Sequence, residues 1–371
     1  MNILVISHEF PPIGGGGANA CKFLTKEYVR LGNAVTVVTA RYGDTPNYEE
    51  VDGVKIFRLT VKREKVDTST FSEMLSYLKT AYLFTDRLCK KENFDACHVF
   101  FGIPSGPIAL HLKRKYKLPY VVRFGGGDIP GAQKRFKYVY KMLNPIIRSI
   151  WKNAKYLVAN SQVLRDKALA YENKYPINII SNGVDSDYFK RSLPYEVKDD
   201  IRILFVSRII EGKGLQYVIP RLKEINDKVG KKVVLTIVGD GPYRKNLEEL
   251  VDDENSGFVR FLGRKEGTDL LDCYNQANLF ILPSLSEGMP NVVLEAMSME
   301  LPIVMTDCGG SKELVSGNGI VSPINEFVGS LIDVCKDPEQ MIKYSKNSGE
   351  RARELFSWNT KAKENLKLLN G

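Results

Sequence analysis

Twice along the chain a short apolar run opens a series of strand, loop and helix, at Asn2–Ser7 and again at Ile201–Ser207. Behind the first come further strand-like runs at Ala34–Thr39, Val54–Leu59, Asp95–Phe101, Tyr120–Phe124, Tyr156–Asn160 and Ile177–Ser181. Behind the second come Val233–Val238, Val259–Leu262, Leu279–Leu282 and Pro302–Thr306. Short apolar runs separated by segments of helical period are the pattern of parallel strands joined by helical crossovers. A domain of this kind takes about 100–200 residues, so the restart at Ile201 in a chain of 371 residues predicts an α/β protein of two doubly wound, Rossmann-like domains. Between the two series Ser186–Asp200 is polar, holds Pro194 and has no period, which marks a boundary there.

In such domains ligands collect at the carboxyl ends of the strands, where helix N-termini and free backbone N–H groups converge. The segments at those ends therefore matter most. Leu279–Glu295 reads as strand, loop and helix start, with Glu287 in the loop and Glu295 about one turn into the helix. Two carboxylates with seven residues between them can face one ligand, and carboxylates favour hydroxyls where the helix N-terminus favours an anion. The alternative is a buried βα unit with two solvated glutamates. Arg208 and Lys213 leave the strand Ile201–Ser207 before a helix expected from Leu215, and two cations there can hold a diphosphate without a metal ion.

In the first half, Gly14–Gly17 follow the strand Asn2–Ser7, and a helix is expected from near Ala18. Successive glycines let the backbone approach a ligand, although the G-x-G-x-x-G register of a dinucleotide site is missing. His98 lies near the end of Asp95–Phe101. Asp128 follows Gly125–Gly127, where it can either reach a hydroxyl in a cleft or cap the next helix.

Composition narrows the partners. With 43% hydrophobic and 26% charged residues the chain has the balance of a globular protein, and no apolar run approaches membrane-spanning length. The six cysteines form no C-x-x-C pair, which argues against zinc and against a disulfide framework, and no metal site is expected. The N-terminus has no signal-peptide pattern, so a cytoplasmic location is expected. A net charge of +9 calls for an anionic partner. Its densest expression is Lys134–Lys152, where aromatic and aliphatic residues recur at helical spacing beside a basic stripe, with Pro145 expected to kink or divide the helix. That pattern fits an anionic membrane surface met from the inner face, and equally a helix packed on the sheet with solvated lysines outside. Nucleic acid is not favoured, since no recognition motif is present.

Taken together, Arg208 with Lys213, Gly239–Pro242, Glu287-Gly-Met-Pro290 with Glu295, Asp307–Gly310 with Glu313, and Asn182–Asp185 with Phe189 resemble glycosyltransferase family 4, retaining enzymes of the GT-B fold. The resemblance covers the second half and, more loosely, the Gly14–Gly17 loop. It implies a first, acceptor-side domain over residues 1–190, a linker over 191–200, a donor domain over 201–355, and a C-terminal helix over 356–371 returning to the first domain, with both domains facing a central cleft. It implies that Arg208 and Lys213 hold the diphosphate of a nucleotide sugar, that Glu287 contacts the sugar and Glu295 the ribose. It also implies donor contacts at Gly15, Gly16, Leu262, Gly288, Met289, Asn291 and Val292, with the catalytic set Arg208, Lys213 and Glu287. His98 and Asp128 are the acceptor-side candidates. The implied reaction moves a sugar from a UDP- or GDP-linked donor to a hydroxyl, a lipid-linked saccharide in surface polysaccharide synthesis being one such acceptor, and it needs no cofactor because the nucleotide sugar is a substrate.

One departure stands out. Family members often carry a histidine before the glycine-aspartate of the acceptor-side loop, and here that position is Phe124 or Gly125, preceded by Arg123. Nearby cations should keep both glutamates ionised, which makes them poor glycosidase acid and base. An epimerase or hydrolase acting on nucleotide sugars, or a binding protein without turnover, would use the same scaffold.

Overall fold

The computed structural model describes residues 1–66, 68–131 and 137–371, and forms two compact units, Met1–Asn182 with Trp358–Gly371, and Gly183–Ser357. The first unit begins with β1 (Asn2–Ile6), α1 (Gly16–Arg30), β2 (Ala34–Ala40), β3 (Tyr48–Val51) and β4 (Val54–Leu59). It continues with α2 (Phe71–Lys91), β5 (Ala96–Phe100), α3 (Gly102–Tyr116), β6 (Tyr120–Arg123), α4 (Lys137–Asn153), β7 (Tyr156–Ala159), α5 (Gln162–Tyr171) and β8 (Ile177–Ile179). Its sheet runs β3-β4-β2-β1-β5-β6-β7-β8, parallel except for the β3–β4 hairpin.

Alternation within one strand explains the layering. Leu4 and Ile6 of β1 face a core shared with α2, α3 and α4, whereas Ile3 and Val5 face the opposite core with α1 and the C-terminal helix. Both faces of the sheet are covered, which is why its strands read as continuous apolar runs.

The second unit holds β9 (Asp200–Val206), α6 (Leu222–Val229), β10 (Lys232–Val238), α7 (Arg244–Glu248), β11 (Val259–Gly263), α8 (Gly267–Gln276) and β12 (Leu279–Leu282). It closes with α9 (Asn291–Ser298), β13 (Ile303–Thr306), α10 (Ser311–Leu314), β14 (Gly319–Ser322), α11 (Phe327–Lys336) and α12 (Pro338–Leu355). The sheet order β11-β10-β9-β12-β13-β14 is parallel throughout and reverses direction between β9 and β12, the topological switch at which such sheets bind ligands. The final helix, α13 (Trp358–Asn370), folds with the first unit, where Trp358 stacks on Phe23 at 5.5 Å.

Three local expectations change. The helix expected from Leu215 starts only at Leu222, because Gly214 and Pro220 confine the stretch before it to single 3-10 turns. α4 runs as one helix through Pro145. Tyr140, Ile147, Ile150 and Trp151 bury one of its faces in the core, while Lys141, Arg148 and Lys152 stay exposed. The Lys134–Phe136 part of that basic segment lies outside the described residues.

Residues 191–200, read from sequence as a linker, pack against the second unit. Arg191 donates to the carbonyls of Tyr274 at 3.4 Å, Met299 at 3.2 Å, Asn275 at 2.9 Å and Ala277 at 3.2 Å, and its guanidinium lies over the Tyr195 ring. Tyr195 in turn donates to the Asn278 carbonyl at 2.6 Å. Charged hydrogen bonds that satisfy helix-end carbonyls are costly to lose. Arg191→Ala is therefore expected to lower the stability of the second unit by about 2–3 kcal/mol, read as a shift of its urea unfolding midpoint at unchanged slope.

Candidate functional site

At the carboxyl ends of β9, β12 and β13 the connecting loops bind one another through their backbones. Gly214 has φ +76°, and a Cβ there would lie 1.9 Å from the Pro283 carbonyl oxygen, so only glycine lets the loop after β9 reach the end of β12. Leu285 N–H then donates to Gly212 O at 2.8 Å. On the other side Gly309, with φ +54°, brings the loop after β13 so close that a Cβ would sit 2.5 Å from the Glu287 carbonyl oxygen, and Gly310 N–H donates to Gly288 O at 2.8 Å. The Glu287–Gly288 turn is thus fixed from both sides.

That stitching decides where the side chains go. Lys213 Nζ meets Glu287 Oε1 at 2.6 Å, with only 17% and 12% of the two side chains exposed. The pair is charge-assisted and largely shielded, which makes it stronger and more directional than a surface ion pair. Arg208 leaves the end of β9 exposed and has no ion pair among the described residues. Gly288 is open around its Cα, whereas the Met289 side chain is buried and would touch a Cβ at Gly310. Asn291 and Val292 begin α9, and Glu295 lies on its second turn.

Glu295 is held differently from the sequence expectation. Among the described residues no lysine or arginine pairs with it; its Oε2 accepts from the Tyr274 hydroxyl at 3.0 Å, and burial raises its pKa against the lowering by that hydrogen bond. Lys213 therefore pairs with Glu287 and leaves Glu295 to a neutral donor. Sequence reasoning missed Tyr274, since a tyrosine at the end of the α8 stripe reads as core; its ring is indeed fully buried, and only the hydroxyl reaches the site.

Leu262 separates from this cluster. Its side chain, 41% exposed, lines a groove of about 310 Å³ on the sheet face with Arg202, Lys232 and Arg260. Gly15 and Gly16 belong to the first unit, where Gly15 caps α1 and has open space on its Cα.

The two acceptor-side candidates lie inside the first unit. His98, on a wholly buried strand, shares a 3.0 Å hydrogen bond between Nδ1 and the Tyr28 hydroxyl, and burial with the Arg123 charge depresses its pKa to about 3. It is a core histidine. Asp128 is also buried, accepting from Gly102 N–H, at the start of α3, at 2.6 Å and from Gly125 and Gly126 N–H at 2.9 Å each, so its carboxylate is bound to N–H groups that precede it, which is neither a hydroxyl in a cleft nor the next helix. Phe124, at the position where a histidine was missed, turns into the core against Trp151, ring centroids 4.9 Å apart. His8, unremarked in the sequence, is buried beside the same loops, edge-on to Phe101 at 4.7 Å, with its pKa pushed down to about 3 by burial and by Arg63. Among the described residues no group of three or more His, Cys, Asp or Glu side chains is arranged to hold a metal ion.

A family model described as Glycosyltransferase Family 4 matches residues 14–188, and one described as Glycosyl transferases group 1 matches residues 200–337, so that together they take in most of the chain. A relative from Methanocaldococcus jannaschii, described as the uncharacterized glycosyltransferase MJ1607, is 27% identical over 99% of this chain and 97% of its own length. The putative teichuronic acid biosynthesis glycosyltransferase TuaC of Bacillus subtilis is 25% identical over 72% of this chain and 67% of its own. Among solved structures, Anabaena Alr3699/HepE in complex with UDP superposes with a TM-score of 0.73 at 18% identity, covering 100% of both chains. At that identity the likeness speaks for the fold, two parallel-sheet α/β domains of GT-B type.

The ionisation of Glu295 can be checked without any ligand. A carboxyl whose folded pKa is raised binds more protons folded than unfolded, so stability falls as pH rises from its ordinary value of 4.5 through the raised one. Glu295→Gln removes that titration while leaving an oxygen for the Tyr274 hydrogen bond. Its melting temperature is expected to exceed that of the wild type at pH 7 and to match it near pH 4, measured by thermal denaturation across the pH range.

Proposed function

Because the chain belongs to glycosyltransferase family 4, we propose that it transfers a sugar, with retention, from a UDP- or GDP-linked sugar to a hydroxyl acceptor. The observation that carries this reading is the Lys213–Glu287 pair, fixed at the switch point of a parallel sheet by backbone contacts between three strand-end loops. An ammonium beside a carboxylate, both largely shielded, gives one point that attracts phosphate and one that attracts sugar hydroxyls. Arg208, which is exposed, supplies the second charge for the diphosphate.

In the proposed reaction the bond from the sugar's anomeric carbon to the diphosphate oxygen breaks, and a bond to the acceptor oxygen forms on the same face. The acceptor's proton passes to the departing phosphate, so the step draws on no protein base and is compatible with a core position for His98 and Phe124. Lys213 and Arg208 offset the charge that develops on the leaving diphosphate, Glu287 orients the donor sugar, and Glu295 binds the ribose. The neutralisation comes from side chains, which makes the reaction metal-independent.

The name of TuaC, a glycosyltransferase of teichuronic acid biosynthesis, supports a saccharide acceptor of surface polysaccharide type, and that of HepE in complex with UDP supports a uridine nucleotide. An acceptor carried on lipid would fit the exposed Lys141, Arg148 and Lys152 of α4 beside Met142, which is 72% exposed, resting on the anionic inner face of a membrane. No helix among the described residues is long and apolar enough to cross a membrane.

The test is transfer from a panel of UDP- and GDP-sugars, with the anomer of the product determined and with a chelator in parallel. Retained configuration and full activity with chelator are expected, and Lys213→Ala should lower kcat/KM by about 10²–10³-fold. Donor consumption without acceptor would instead indicate an epimerase or hydrolase, and binding without turnover a binding protein. Inversion, or loss of activity with chelator, would contradict the mechanism.

A further inference from the structure

We infer that Tyr274 is a positioning residue for the nucleotide, fixing one carboxylate oxygen of Glu295 so that the other is presented to a ribose hydroxyl; this rests on the ribose role proposed above. The two residues stand on different elements, Tyr274 in the last turn of α8 and Glu295 in the second turn of α9, so their contact couples the two helices at the site.

The tyrosine ring has no freedom to swing. It is fully buried, edge-on to Phe189 with centroids 6.0 Å apart and nearly parallel to Phe280 at 6.3 Å. Its hydroxyl lies 3.0 Å from Glu295 Oε2 and 3.5 Å from the Val292 carbonyl. A phenol has one hydrogen to give, and the carboxylate is both nearer and the stronger acceptor, so the proton points at Glu295. Oε2 is thereby occupied and oriented, while Oε1 makes no hydrogen bond among the described residues. Glu295 as a whole is only half-buried.

An ionised carboxylate is an acceptor only, and ribose offers two adjacent hydroxyl donors. A carboxylate already fixed through one oxygen loses little rotameric freedom when the other accepts a ligand hydroxyl, which is how a supporting hydrogen bond raises affinity. A purely structural tyrosine would serve the core equally well as phenylalanine. The difference is a single oxygen atom.

That difference is measurable. Dissociation constants are determined by calorimetry for UDP and GDP and for their 2′,3′-dideoxy forms, on the wild type, Tyr274→Phe, Glu295→Ala and the double variant. Tyr274→Phe keeps the ring and its packing, and thermal unfolding near that of the wild type verifies this. For whichever diphosphate the wild type binds, Tyr274→Phe should weaken binding about tenfold. The dideoxy form should bind the wild type and Tyr274→Phe alike, and the double variant should be no weaker than Glu295→Ala alone. Equal losses on the normal and dideoxy nucleotides would mean that the tyrosine acts through packing, and would overturn the inference. So would a loss in Glu295→Ala with none in Tyr274→Phe. If Glu295→Ala binds as well as the wild type, or no diphosphate binds at all, the ribose reading falls and the inference falls with it.

Discussion

Close backbone contact between neighbouring loops is the constraint on which the site depends. The loops after β9 and β13 both press against the Glu287 turn, and they do so at glycines whose missing Cβ leaves room for a carbonyl oxygen. A side chain at Gly214 or Gly309 would meet backbone, which cannot yield as a flexible side chain can. With the turn held from two sides, Lys213 and Glu287 face each other at hydrogen-bonding distance without any long-range network to place them. The charges of the site are thus positioned by sterics first, and their electrostatic effect follows.

Two carboxylates that look alike in the sequence fall into different environments. Glu287 has an ammonium at 2.6 Å, whereas Glu295 has a phenol at 3.0 Å and partial burial. The first is compensated by charge and the second by a neutral donor, so desolvation governs the second. Holding an incompletely compensated carboxylate in place costs stability, which is the usual signature of a group retained for binding.

The fold class was legible because each half repeats one pattern, apolar strands between amphipathic helices, whereas the edge strands β3 and β14 were not read from the sequence. The start of α6 was not, because Gly214 and Pro220 break the helical period in ways that only the turn geometry reveals. Arg208, Lys213, Glu287 and Glu295 could be found since charged residues in strand-end loops stand out from the apolar background. Tyr274 could not, because its ring obeys core periodicity and only one atom of it serves the site. His98 and Asp128 attracted notice for being polar near strand ends, but sequence cannot tell which way such a side chain turns. His98 turns inward to Tyr28, and Asp128 turns back onto the N–H groups of its own loop. The basic stripe of α4 was legible in part, since its apolar face proves to be core while Lys141, Arg148 and Lys152 remain outside.

The central claim is that the strand-end loops of the second unit form the donor site. Hydrogen–deuterium exchange with and without a saturating nucleoside diphosphate sugar tests it most directly, because exchange reports each loop separately. The account predicts slowed exchange at residues 207–215, 284–295 and 307–313. Protection confined to the sheet-face groove around Arg202, Lys232 and Arg260, with those three loops unchanged, would contradict it.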